Sequence, residues 1–171
     1  MSIKTLRPEV SGERDLGEVR LEDLNHLDHE LLEAAQGTRR NAYAPYSKFS
    51  VGAAVRTESG AIYSSANMES ASYGLTLCAE ACALSRAVSE GDFRVSAIAV
   101  VGGPLGKKFA PGDAVTPCGR CRQLIFEAGQ VSGLDIRVLS ANSDFSKIFV
   151  ARISSLLPYA FGPKNLKIPL E

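Results

Sequence analysis

Val95-Ser96-Ala97-Ile98-Ala99-Val100-Val101 is a nearly continuous apolar run. A strand with one wet face alternates apolar and polar residues, so a run that does not alternate reads as a strand covered on both faces. Covering both faces requires layers above and below a sheet. Downstream, GGPLGKKFAPGDAVT (102–116) is punctuated by Gly and Pro and reads as a loop. Gly119 to Ala128 reads as a helix, Leu134–Leu139 and Lys147–Ala151 as strands, and Ile153–Leu157 as a short helix before Pro158. Upstream, Cys78 to about Val88 is rich in Ala and Leu and reads as a helix stopped by Gly91. Phe49, Val51, Ala53 and Val55 alternate along a strand, and Glu58-Ser59-Gly60 turns it into a second strand over Ala61–Ser65. Leu21, Leu24, Leu27, Leu31 and Ala35 recur at three and four, one face of a helix running to about Arg40, and Pro45 keeps the helix from continuing. Helices interleaved with about five strands predict a three-layer α/β/α sandwich around a mixed five-stranded sheet. Residues 1–20 are polar without a sustained period and read as a flexible extension, leaving 21–171 as one domain.

Hydrophobic residues make up 45% of the 171 and charged residues 22%, ordinary usage for a globular chain. Nineteen Lys and Arg balance nineteen Asp and Glu. A surface built for a phosphate backbone carries a basic surplus, so nucleic acid is not an expected partner. No apolar run approaches the ~18 residues of a membrane span, and the first twenty residues hold no apolar signal core. The expected address is the cytoplasm, with no membrane partner. A reducing compartment disfavours disulfides, which turns attention to Cys78, Cys82, Cys118 and Cys121.

Pro117-Cys118-Gly119-Arg120-Cys121 places a C-x-x-C pair at a loop-to-helix junction. Such a pair can clamp a metal, cycle as a dithiol at a helix N-terminus, or simply be buried. Cys78-Ala79-Glu80, which also opens a helix, adds a third thiolate and a nearby carboxylate. Three protein ligands with an open fourth position describe a catalytic zinc, whereas structural zinc closes its shell with four. Cys82 is the candidate for closing it. It lies one turn deeper in the same helix, among Ala81, Ala83 and Leu84, where a small thiol suits the core. Three thiolates around zinc carry a net negative charge, which two helix N-termini and the Arg120 guanidinium can offset. Glu80 in a first helical turn is ordinary on its own; beside an open zinc it becomes a candidate proton shuttle.

These segments resemble the cytidine deaminase family. A zinc-deaminase signature has His or Cys, then Glu two residues on, then P-C-x-x-C; here it stands as C-A-E at 78–80 and P-C-G-R-C at 117–121. YAPYSKFSVGAAV (43–55), NMESASYGLTLCAE (67–80), PCGRCRQ (117–123) and LLPYAFGP (156–163) extend the likeness, in family order, over residues 25–166. The resemblance implies one zinc per subunit on Cys78, Cys118 and Cys121, with Glu80 shuttling protons. It implies ribose contacts from Asn67 and Glu69, and base contacts from Phe49, Tyr73 and the backbone of Ala79. It also implies a contact from Phe161 to a neighbouring subunit's site, in a homotetramer. The activity implied is hydrolytic deamination of cytidine and 2′-deoxycytidine, with a blasticidin-type deaminase or a non-catalytic structural-zinc module as alternatives. Two departures stand out. Ala81 occupies a position where the three-cysteine branch often has Arg, which throws charge compensation onto Arg120, and Ser70 follows N-x-E where Asn is common.

Overall fold

The computed structural model describes residues 17–170. Its sheet has six strands: β1 (Gly17–Val19), β2 (Phe49–Thr57), β3 (Ile62–Ala66), β4 (Val95–Pro104), β5 (Arg137–Asn142) and β6 (Ile148–Arg152), in the order β1-β6-β5-β4-β2-β3. Only β4 and β5 pair in parallel, so the sheet is mixed as expected. The sixth strand corrects the expected count of five. Residues 17–19 pair with β6 at its outer edge, Glu18 opposite Phe149, so the polar extension is docked at its end. Three residues are too few for alternation to register. Residues 1–16 lie outside the described residues.

β4 is buried on both faces. Ile98 and Val100 pack with Ala79, Ala83, Leu84 and Ala87 of α2 (Ala79–Ser89) and Ile125 and Ala128 of α3 (Gly119–Ser132). Ala99 and Val101 face the other way, toward Leu31, Leu32 and Ala35 of α1 (His26–Arg39). Each fully buried Leu or Ile contributes about 1.5–3 kcal/mol relative to exposure, so the two small cores hold the layers together from both sides. The long predicted first helix divides into a 3₁₀ turn at Leu21–Asp23 and α1. Asn25 causes the division: its Oδ1 accepts the Asp28 N–H at 2.9 Å and caps α1. Asp28 then pairs with Arg137 at 3.0 Å, joining α1 to β5.

Strand direction positions the site. β3 and β4 are both antiparallel to β2, hence parallel to one another. The chain leaves β3 into α2 and β4 into α3, moving the same way across the sheet each time. With one crossover hand, both helices must lie on the same face and begin at the same sheet edge. Crevices at the carboxyl ends of parallel strands are the usual ligand sites of such sheets.

On the opposite face α1 sits close to β2 at Gly52. A Cβ there would drive into the carbonyl of Ala35 and crowd the Arg39 N–H, both backbone groups that cannot swing aside. Gly52→Ala is therefore expected to cost about 1–3 kcal/mol by overpacking. Urea unfolding should show a lower midpoint at unchanged slope.

Candidate active site

Cys78 is the N-cap of α2 and Cys118 the N-cap of α3, with Cys121 one turn inside α3. The Cys78 and Cys118 sulfurs are 3.9 Å apart, those of Cys118 and Cys121 3.6 Å, and all three lie within 4.8 Å of one another. Sulfurs at tetrahedral vertices about 2.3 Å from zinc would stand roughly 3.8 Å apart. The donor set and spacing fit that ion. Cys82 is not among the three; its thiol is half-buried and hydrogen-bonded with Ser65 on β3. It therefore packs against the sheet instead of closing the cluster.

Without metal the cluster shares its protons unequally. The Cys78 thiol is drawn down to about 6, chiefly by a hydrogen bond from Cys121, with Cys118 and the Arg120 charge assisting against burial. Cys121 is pushed up by its bond to Cys78 and by burial. The anion thus settles on Cys78, where the α2 N-terminus and Arg120 meet it. Arg120 is solvent-exposed, and its side chain makes no hydrogen bond or ion pair among the described residues, so its charge remains available to the cluster.

Glu80 is 5% exposed in the first turn of α2. Burial raises its carboxyl above the ordinary range, and the Cys78 thiolate adds to the shift. A buried carboxyl that readily holds a proton, next to three thiolates, is suited to taking and returning one.

The other expected residues group around the 43–49 segment. Glu69 accepts the backbone N–H groups of Tyr46 and Ser47, at 2.9 and 3.3 Å, and the Ser47 side chain also bonds it. These bonds hold its carboxyl below the usual range. Tyr46, Ser47, Glu69, Tyr73 and Thr76 line an open pocket of about 440 Å³, with the Tyr46 and Tyr73 rings edge-to-face at 5.9 Å. Asn67 is largely committed to β2: Oδ1 accepts the Val51 N–H at 2.8 Å, and Nδ2 donates to the Phe49 carbonyl at 3.3 Å. Phe49 is no core residue. Its ring is 37% exposed and lies with Val115 against Gly102, where a side chain would displace both. Ala79 is fully buried. Ser70 donates its N–H to the Thr76 hydroxyl at 3.3 Å, so the position that departs from the usual Asn braces the turn below Glu69. Phe161 lies apart, 60% exposed on the C-terminal segment, its carbonyl accepting from Gln123 at 2.8 Å.

Sequence reasoning missed the groups that secure the loop before Cys118. Arg39 is buried and donates to the carbonyls of Lys107 and Lys108 and to Ser50, all at 2.7 Å. Ser143 and Asn142 bind the same loop at Ala110 and Gly112. Arg122 ties the Pro117 carbonyl to that of Leu156. The available signal was Leu31, Ala35, Arg39: a cation continuing an apolar stripe at spacing four. For the cluster itself, Cys82→Ala should keep one zinc per chain, whereas Cys121→Ala should lose it, as read by elemental analysis of the purified proteins.

A family model described as the cytidine and deoxycytidylate deaminase zinc-binding region matches residues 25–133. The chain is 43% identical over 138 residues to a cytidine deaminase of Halalkalibacterium halodurans, covering 80% of this chain and 95% of that one. It is 38% identical over 141 residues to a cytidine deaminase of Sporosarcina psychrophila, covering 82% and 96%. The crystal structure of cytidine deaminase from Burkholderia pseudomallei superposes with a TM-score of 0.69 at 40% identity, covering 81% of this chain and all of that one. Two helix N-termini converging on three thiolates and a buried carboxyl, within a sequence matched over most of its length, place this chain in the zinc-binding cytidine and deoxycytidylate deaminase family.

Proposed function

We propose that this chain hydrolyses cytidine and 2′-deoxycytidine to uridine and 2′-deoxyuridine, releasing ammonia. The observation that carries the reading is Glu80, buried beside the three-thiolate cluster where α2 and α3 begin. Cys78, Cys118 and Cys121 would hold zinc, which supplies the Lewis acidity that makes a water nucleophilic near neutral pH. Glu80 takes a proton from the attacking water and delivers one to ring N3, leaving C4 more electrophilic. It then passes a proton to the amino group, which departs as ammonia as the C4–N bond breaks and the C4–O bond remains. The raised affinity of its carboxyl for a proton supports the holding half of that cycle.

Glu69 offers a charged acceptor to a sugar hydroxyl, and the remaining amide N–H of Asn67 offers a donor beside it. Phe49 supplies a flat face toward the base, and backbone groups at Ala79 reach its edge at the start of α2. Tyr73, 76% exposed, and Phe161 leave large aromatic surface uncovered on one protomer. That exposure supports a homotetramer in which neighbouring copies complete each other's sites. The balanced charge and the want of any helix apolar and long enough to cross a membrane, among the described residues, support a cytoplasmic enzyme acting on free nucleosides.

Ammonia release from cytidine by the zinc-loaded protein tests the reading directly. Glu80→Gln should retain zinc and fold while losing at least about a hundredfold in turnover. A wild-type protein that carries zinc but releases no ammonia from either nucleoside would defeat it. Arg120→Ala should lower activity or zinc retention about tenfold, the scale of lost support around a metal site; unchanged turnover and zinc content would remove Arg120 from the charge balance.

A further inference from the structure

The turn that carries Glu69's donors is built around one hydroxyl. Ser47 Oγ accepts the Phe49 N–H at 3.0 Å, which fixes the oxygen and leaves its single proton to donate. Two acceptors are near it. The Phe49 carbonyl is 3.4 Å away, beyond a good O–H···O distance, while the Glu69 carboxylate is charged and forms the stronger partner. The relay thus runs from Phe49 N–H to the Ser47 hydroxyl to Glu69. Both backbone donors, Tyr46 and Ser47, converge on Glu69 Oε2, and no backbone group among the described residues reaches Oε1. Lys48, between Ser47 and Phe49, has φ of 56°, a conformation L-residues rarely adopt and one that persists only when its surroundings over-determine it.

We propose that Ser47 is a positioning residue for nucleoside binding: its hydroxyl locks the Glu69 carboxylate against the 46–49 turn, leaving Oε1 to accept from the sugar's 2′,3′-diol. The inference rests on the deaminase reading above and adds to it a residue that sets sugar affinity without touching the reacting atoms. Phe49 does not depend on Ser47 for its place. Asn67 holds its carbonyl, and Phe49 pairs with Pro104 of β4. Loss of the hydroxyl should therefore loosen the sugar contact and spare the base contact.

The test is steady-state kinetics of the zinc-loaded wild type, Ser47→Ala and Ser47→Thr on cytidine and on 2′,3′-dideoxycytidine. Ser47→Ala should raise KM for cytidine about tenfold, the worth of one charge-assisted hydrogen bond, with kcat within about twofold. On 2′,3′-dideoxycytidine, which has no diol to bind, the two proteins should agree in KM within about twofold. Ser47→Thr keeps the hydroxyl and should restore cytidine KM to near wild type. Should Ser47→Ala fail to fold, the near-isosteric Ser47→Cys, a poor donor, reads the same comparison. A cytidine KM unmoved by loss of the hydroxyl, or an equal loss on both nucleosides, overturns the proposal. Wild type inactive on both nucleosides defeats the deaminase reading, and this inference with it. Wild-type turnover with an indifferent Ser47 defeats this inference alone.

Discussion

Two helix N-termini meeting at one sheet edge are the constraint on which the rest of the site depends. β3 and β4 run in the same direction, and the chain crosses in the same sense after each, so α2 and α3 lie on one face and start side by side. Each start brings unpaired N–H groups and the positive end of a helix dipole. Three thiolates within 4.8 Å would otherwise repel one another, and this junction is where the fold can carry them. Placing Cys78 and Cys118 at the caps and Cys121 one turn on gives all three sulfurs the same point to converge on. The same first turn of α2 buries Glu80, so the proton carrier and the metal ligands are positioned by one element.

A long loop normally defeats such precision, and 105–118 is long. Here buried polar groups supply the rigidity. Arg39 from α1, with Ser143 and Asn142 at the end of β5, grips its carbonyls and amides from beneath, while Arg122 secures Pro117 from the α3 side. Arg39 has no carboxylate partner among the described residues. Burying a guanidinium is tolerable only because several oxygens receive its N–H groups, so stability and loop position are tied together. On the substrate side, the 46–49 turn does for Glu69 what the anchored loop does for Cys118.

The features legible in the sequence are those set by local, repetitive physics. The unbroken apolar run of β4 announced a strand covered on both faces, and C-A-E with P-C-G-R-C announced a three-ligand metal site. Exclusion of Cys82 came from its depth along the helix, though the structure leaves it half-buried against Ser65. β1 was not legible, because three residues held by pairing with β6 carry no periodic signal of their own. The division at Asn25 was hidden because Leu21 and Leu24 continue the helical spacing across a capped break. The anchors of the 105–118 loop, and the bonding of Asn67 to β2, are long-range pairings of polar groups, and no spacing rule exposes those.

The central claim is that three thiolates, and not four, hold the metal beside Glu80. X-ray absorption at the zinc edge of the purified protein tests it most directly. Three sulfur neighbours at about 2.3 Å and one lighter neighbour are predicted. Four sulfur neighbours would bring Cys82 into the shell, close the position that chemistry requires, and contradict the account.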